Sequence, residues 1–129
     1  MLNPEYLNDS LWELVPVNIG LANPTIMSLV ASSIVALRHK QTGSICLFFT
    51  VTITCSTDRS TGLGVVSFKY NEQPLYFKAP YRFFGVINGD GVIREIIRQQ
   101  NDLRYLANPT LWNANTEFRC SGVAIMELS

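Results

Sequence analysis

The chain has 129 residues, of which 47% are apolar or aromatic and only 16% carry charge, with ten basic residues balancing ten acidic ones. That composition excludes a disordered chain and supplies no basic excess for gripping nucleic acid through many phosphates. It also leaves little polar surface to cover a lone monomer and little net charge to keep copies apart, so self-association or a stable partner is expected.

Residues 1–10 lack the basic-then-apolar pattern of a signal peptide, and a soluble, reducing, cytoplasmic setting is the expectation. Residues 11–19 alternate, with Leu11, Val15, Val17 and Ile19 on one face, and predict a strand. Pro16 cannot donate a ladder hydrogen bond, so that strand is short or lies at an edge. Asn23-Pro24-Thr25 then combines a helix-capping asparagine with a first-turn proline. Ile26, Leu29, Val30, Ser33, Ile34 and Leu37 follow at helical spacing, Arg38, His39 and Lys40 sit where cations oppose a helix dipole, and Gly43 supplies a stop. These signals predict a helix over about 24–41, against which stand the β-branched Ile26, Val30, Ile34 and Val35. No charge occurs from Val15 to Leu37, but the strongly apolar part, Ile26 to Leu37, covers twelve residues. A bilayer-spanning helix needs about twenty.

Ser44 to Thr57 has strict two-residue alternation: Ile45, Leu47, Phe49, Val51, Ile53 and Cys55 on one side, Cys46, Phe48, Thr50, Thr52, Thr54 and Ser56 on the other. The first set is expected to pack against helices, the second to face solvent or a partner. Asp58 to Gly64 reads as a hairpin loop, after which Val65 to Tyr70 is expected to return antiparallel, with Asn71 to Pro74 turning the chain again. Leu75 to Ile87 is extended, and Pro80 forces a bulge, a break or an edge. Asn88 to Gly91 reads as a turn leading into a second helix, about 91–107, with Val92, Ile93, Ile96, Ile97 and Leu103 inward and Arg98 and Asp102 placed to pair. Asn108-Pro109 ends it. Glu117 to Leu128 is a last strand with Phe118, Cys120, Ala124, Met126 and Leu128 on one face.

The expected fold is therefore α+β: one domain over 1–129, a mainly antiparallel sheet of about five strands, and two helices packed on one face. The pentapeptide Leu-Ala-Asn-Pro-Thr occurs twice, at 21–25 and 106–110. With a helix starting at one copy and ending at the other, it reads as reuse of one boundary sequence and not as a duplication.

No motif carries chemistry on its own. The three cysteines, Cys46, Cys55 and Cys120, have no zinc or disulfide spacing, and no metal or cofactor is implied. The single histidine, His39, reads as a helix cap; Asp58, Glu72, Asp90 and Glu117 read as turn residues. Gly89-Asp90-Gly91 with Arg94 at a helix start is a weak anion-binding pattern, short of any dinucleotide or P-loop fingerprint. Tyr76, Lys78, Arg82 and Phe84 share one face by alternation, and with Arg94 and Arg98 they form a surface suited to a protein interface or to single-stranded nucleic acid. The leading reading is a non-enzymatic, self-associating structural or adaptor protein acting through a sheet face or edge, a style common among small viral structural and accessory proteins. Its alternatives are a single-stranded nucleic-acid binder and a small motif-less hydrolase or ligand-binding enzyme. No family resemblance is evident in these residues.

Overall fold

The computed structural model describes residues 11–58, 64–78, 83–88, 93–95, 97–98, 103–107 and 113–128. Its elements are β1 (Trp12–Leu14), β2 (Asn18–Leu21), β3 (Met27–His39), β4 (Ile45–Cys55), β5 (Gly64–Tyr70), β6 (Gln73–Tyr76), β7 (Phe83–Asn88), β8 (Ile93–Glu95), β9 (Ile97–Arg98), β10 (Leu106–Ala107) and β11 (Phe118–Leu128). These strands pair antiparallel throughout and curl into a half-barrel. Among the described residues there is no helix, and so none long and apolar enough to cross a membrane.

The spine is the pair β4 and β11, whose alternation is legible in the sequence. They run antiparallel from Phe118 opposite Ile53 to Met126 opposite Ile45. Ile45, Leu47, Phe49, Val51, Ile53 and Cys55 are buried, as are Phe118, Cys120, Ala124 and Met126 from the facing strand. Each large side chain removed from water this way stabilises the fold by about 1.5–3 kcal/mol. On one flank of the spine lie β3 and then β1; on the other, β11 pairs with β7 along its first part and with β6 at Glu127 and Leu128. Because two strands share that edge of β11, the sheet splits there. β6 carries the chain over to β5, which pairs in turn with β2 and β10. The curl lays Phe68 of β5 against Phe49 of β4, ring centroids 5.2 Å apart. The apolar face of β4 thus packs against another part of the sheet, not against helices.

Gly122 lets β7 lie close against β11. It lies opposite Phe49 of β4 and Gly85 of β7. A Cβ there would come within 2.3 Å of the Phe84 carbonyl oxygen, 2.7 Å of the Gly85 Cα and 3.1 Å of the Phe49 ring. Only a residue without a side chain lets β7 approach this closely.

The α+β expectation is overturned at both helices. Residues 24–41 contain β3, a strand of 13 residues. The capping signal does act locally: the Asn23 carbonyl accepts hydrogen bonds from the Ile26 and Met27 amides, closing one turn. Beyond it the β-branched residues and a full ladder with β4 prevail, since Met27 to Arg38 pairs with Cys55 to Ile45 across one bulge at Val30. Gly43, read as a helix stop, instead serves the β3–β4 hairpin at φ 80°, where its amide donates to the His39 carbonyl. Within 91–107 the described residues form β8, β9 and β10, with β8 pairing with β7. Ile93, expected inside a helix, is exposed; Asp102, the expected partner of Arg98, lies outside the described residues.

Two further expectations change. β5 does not return along β4; it joins β2, β6 and β10, and is buried from Gly64 to Phe68. Residues 75–87 form two strands, β6 and β7, with Pro80 between them outside the described residues. The Asn71–Glu72 turn is a tight hairpin with Tyr70 opposite Gln73, both central residues at positive φ, 51° and 64°.

Candidate functional site

Strand alternation gives β4 and β11 an outer face as well as an inner one. Val35 of β3 lies opposite Phe48 of β4, Phe48 opposite Val123 of β11, and Val123 opposite Phe84 of β7. These four side chains form one row across four strands and are 50%, 46%, 38% and 62% exposed respectively. A second row runs beside it: Leu14, Leu37, Cys46 and Ile125, joined by the same registers. Leu14 is 76% exposed and the other three are half-buried. Neither row contains a charge. At ~200 Å² per phenylalanine, Phe48 and Phe84 alone leave on the order of 200 Å² facing water. With Leu14 and the two valines, the patch reaches the several hundred Å² that mark an interaction surface.

The sequence-predicted site residues are partly assembled on this face. Tyr76 lies opposite Glu127 and Phe84 opposite Val123, both odd-numbered positions of β11, so both aromatic residues stand on its outer side. Lys78 is exposed, and its Nζ lies 3.6 Å from Glu127 Oε2, while Glu127 Oε1 accepts a hydrogen bond from Ser44 Oγ. Lys78 is therefore matched by an acid. Arg82, Gly89 and Gly91 lie outside the described residues. Arg94 falls opposite Ile87 in β8 and Arg98 opposite Leu106 in β9, so neither stands on a helix. The anion-binding pattern of Gly89, Gly91 and Arg94 assumed a helix dipole at residue 91. With β8 pairing back on β7, that dipole is gone.

His39 is held at the β3–β4 hairpin. His39 Nδ1 accepts hydrogen bonds from the Gln41 and Thr42 amides, and the ring stands edge-on to Trp12, centroids 4.9 Å apart. The histidine caps a hairpin turn, not a helix. Burial pushes the Cys46 thiol up, away from the thiolate that nucleophilic chemistry needs. Asp58 accepts a hydrogen bond from the Ala114 amide at 2.8 Å and so ties the end of β4 to the segment entering β11. Among the described residues no group of three or more His, Cys, Asp and Glu is placed to hold a metal.

No family model, no curated protein and no solved structure matches this chain.

Val35, Val123 and Leu14 carry no site signal in the sequence, whereas Phe48 belongs to the β4 face expected to meet solvent or a partner. The available signal was Phe48 standing in the polar row of β4; the rest of the patch depends on register between strands.

Proposed function

We propose that this protein is a non-enzymatic, self-associating structural or adaptor protein, and that the outer face of the β3–β4–β11–β7 sheet is one of its contact surfaces. The observation carrying this reading is the row Val35, Phe48, Val123 and Phe84, apolar, exposed and continuous across four strands. Stable interfaces bury about 800 Å² on each partner, with an apolar centre depleted of charge. This patch supplies such a centre. The single-stranded nucleic-acid reading is less favoured: Tyr76 and Phe84 do share the face, but Lys78 beside them is paired with Glu127.

The test is solution mass by light scattering after size-exclusion chromatography. The wild-type chain is expected to elute as a dimer or larger, and Phe48→Ser to shift the mass downward while keeping a cooperative melt. A wild-type chain that is monomeric at tens of micromolar defeats the proposal. Salt-sensitive binding of a labelled single-stranded oligonucleotide by that monomer would favour the alternative.

A further inference from the structure

We infer that β3 is a pairing edge, and that its partner is β3 of a second copy, antiparallel about a two-fold axis through Ser33. This rests on the self-association reading and names the atoms that would carry it.

On one side β3 pairs with β4 along almost its whole length. On the other, the described residues pair with it only near its end, where β1 lies opposite Leu37, Arg38 and His39 and the Val15 amide donates to the Ala36 carbonyl at 3.1 Å. Ala36 therefore turns its backbone groups toward the β1 side. Because direction alternates along a strand, Ile34 and Ser32 turn theirs the same way. Among the described residues nothing accepts or donates there. The ladder with β4 is regular from Ala31 onward and is interrupted by the bulge at Val30. The open edge is thus a window of five residues, Ala31 to Val35, closed by the bulge at one end and by Val15 at the other.

That window is symmetric about Ser33. A second copy laid antiparallel with its Ser33 opposite Ser33 puts Ser32 of each copy against Ile34 of the other. Those are the residues whose N–H and C=O groups point outward, so each pair exchanges both of its hydrogen bonds. A shift by one residue would set outward groups against inward ones. Position 30 of the second copy falls opposite Ala36, where the bulge bends the chain aside beside Val15 and Leu14. The exposed Val30 and Leu14 then cover one another at both ends.

The chemistry of the edge selects a copy of itself. Natural sheet edges are blunted by lysine, by inward charge or by proline within the strand. Here no charge occurs from Val15 to Leu37, and Ala31, Ser32 and Ser33 are small enough to let two backbones meet on an axis without collision. Among the described residues the bulge at Val30 is the one blunting device, and it limits the window without closing it.

The experiment uses the full chain carrying Cys46→Ser, which leaves the buried Cys55 and Cys120. A residue on the axis in a non-hydrogen-bonded pair has its Cα about 4.5 Å from its own copy, within disulfide range. Ser33→Cys is expected to give a covalent dimer as the main product under mild oxidation by oxidised glutathione. Gln73→Cys, exposed at the β5–β6 hairpin and outside both the β3 edge and the outer face of β3–β4–β11–β7, is expected to stay unlinked. Ser33→Glu sets two carboxylates face to face and is expected to weaken dimerisation by at least about tenfold while keeping a cooperative melt. If the wild-type chain is multimeric while Ser33→Cys stays unlinked and Ser33→Glu leaves the mass unchanged, the edge assignment is overturned and self-association stands. Pairing of this edge by another segment of the same chain would give that result too. A monomeric wild-type chain removes both.

Discussion

Leu21 and Leu106 lie opposite the same residue, Val66, from the two edges of β5. Each is the first residue of a Leu-Ala-Asn-Pro-Thr copy. Both copies approach β5 antiparallel, so they run parallel to each other, and Ala22 and Ala107 meet Val65 and Gly64 in turn. The reading that one copy starts a helix and the other follows one is corrected here: Leu21 ends β2 and Leu106 begins β10, both on β5, while residues 108–110 lie outside the described residues. Leu106 is wholly buried and Leu21 partly so. Leu106→Ala is therefore expected to lower unfolding free energy by about 2–5 kcal/mol, and Leu21→Ala by clearly less. Urea denaturation of the two variants measures the difference, and equal losses would contradict the burial asymmetry.

Gly122→Ala is expected to destabilise by about 1–3 kcal/mol or more, because the added methyl meets the backbone of Phe84 and Gly85 and not a side chain that can swing aside. The same change at Gly20, whose Cβ would meet the Ser67 hydroxyl, is milder if the hydroxyl can rotate away. Thermal melts of both variants rank the two sites.

The Asn71–Glu72 turn holds two non-glycine residues in the left-handed region. Asparagine tolerates it; glutamate gains nothing local from it. Glu72→Gly relieves that strain, partly offset by the extra freedom of the unfolded chain, for a net gain of about 0.5–1 kcal/mol. A lowered melting temperature in Glu72→Gly would show that the glutamate side chain is needed elsewhere.

Burial pushes the Cys120 thiol up to about 12 from an ordinary 9.0. The folded state keeps this proton over a range in which the unfolded chain releases it. The resulting contribution to stability is whole below about pH 9 and is lost as pH rises toward 12, at about 1.4 kcal/mol per pH unit. Cys120→Ala removes that slope, so the stability difference between wild type and variant is expected to shrink progressively above pH 9. Below pH 9 a thiol-reactive reagent should modify Cys46 slowly and leave Cys55 and Cys120 untouched until unfolding.

The reach of the sequence can be judged from β3 and β4. In β4 apolar residues recur every second position, and all six on the predicted face are buried. In β3 they recur at Leu29, Val30, Ile34 and Leu37, continuing from Ile26 just before it, a helical period forced onto a strand. A strand cannot bury such a pattern on one face. Leu29, Val30 and Val35 are consequently exposed, while Met27 and Ala36 are buried. The feature that misdirects the reading of secondary structure also creates part of the exposed apolar surface. The same holds at Ile93 in β8, where a helix-like pattern sits on a short strand with its side chain exposed.

By itself the sequence determined what is local: the alternating faces of β4 and β11, the turn at Asn71–Glu72, and a composition short of charge. Tertiary structure decided which strand lies beside which, and with that both candidate surfaces. Phe48 becomes part of a row only once register sets Val35, Val123 and Phe84 beside it, and Ser33 becomes the centre of an edge only once β1 and the bulge close the two ends. The reason is physical: backbone propensity and capping act within a few residues, whereas ladder hydrogen bonds and burial join positions tens of residues apart and outweigh a weak local preference for helix.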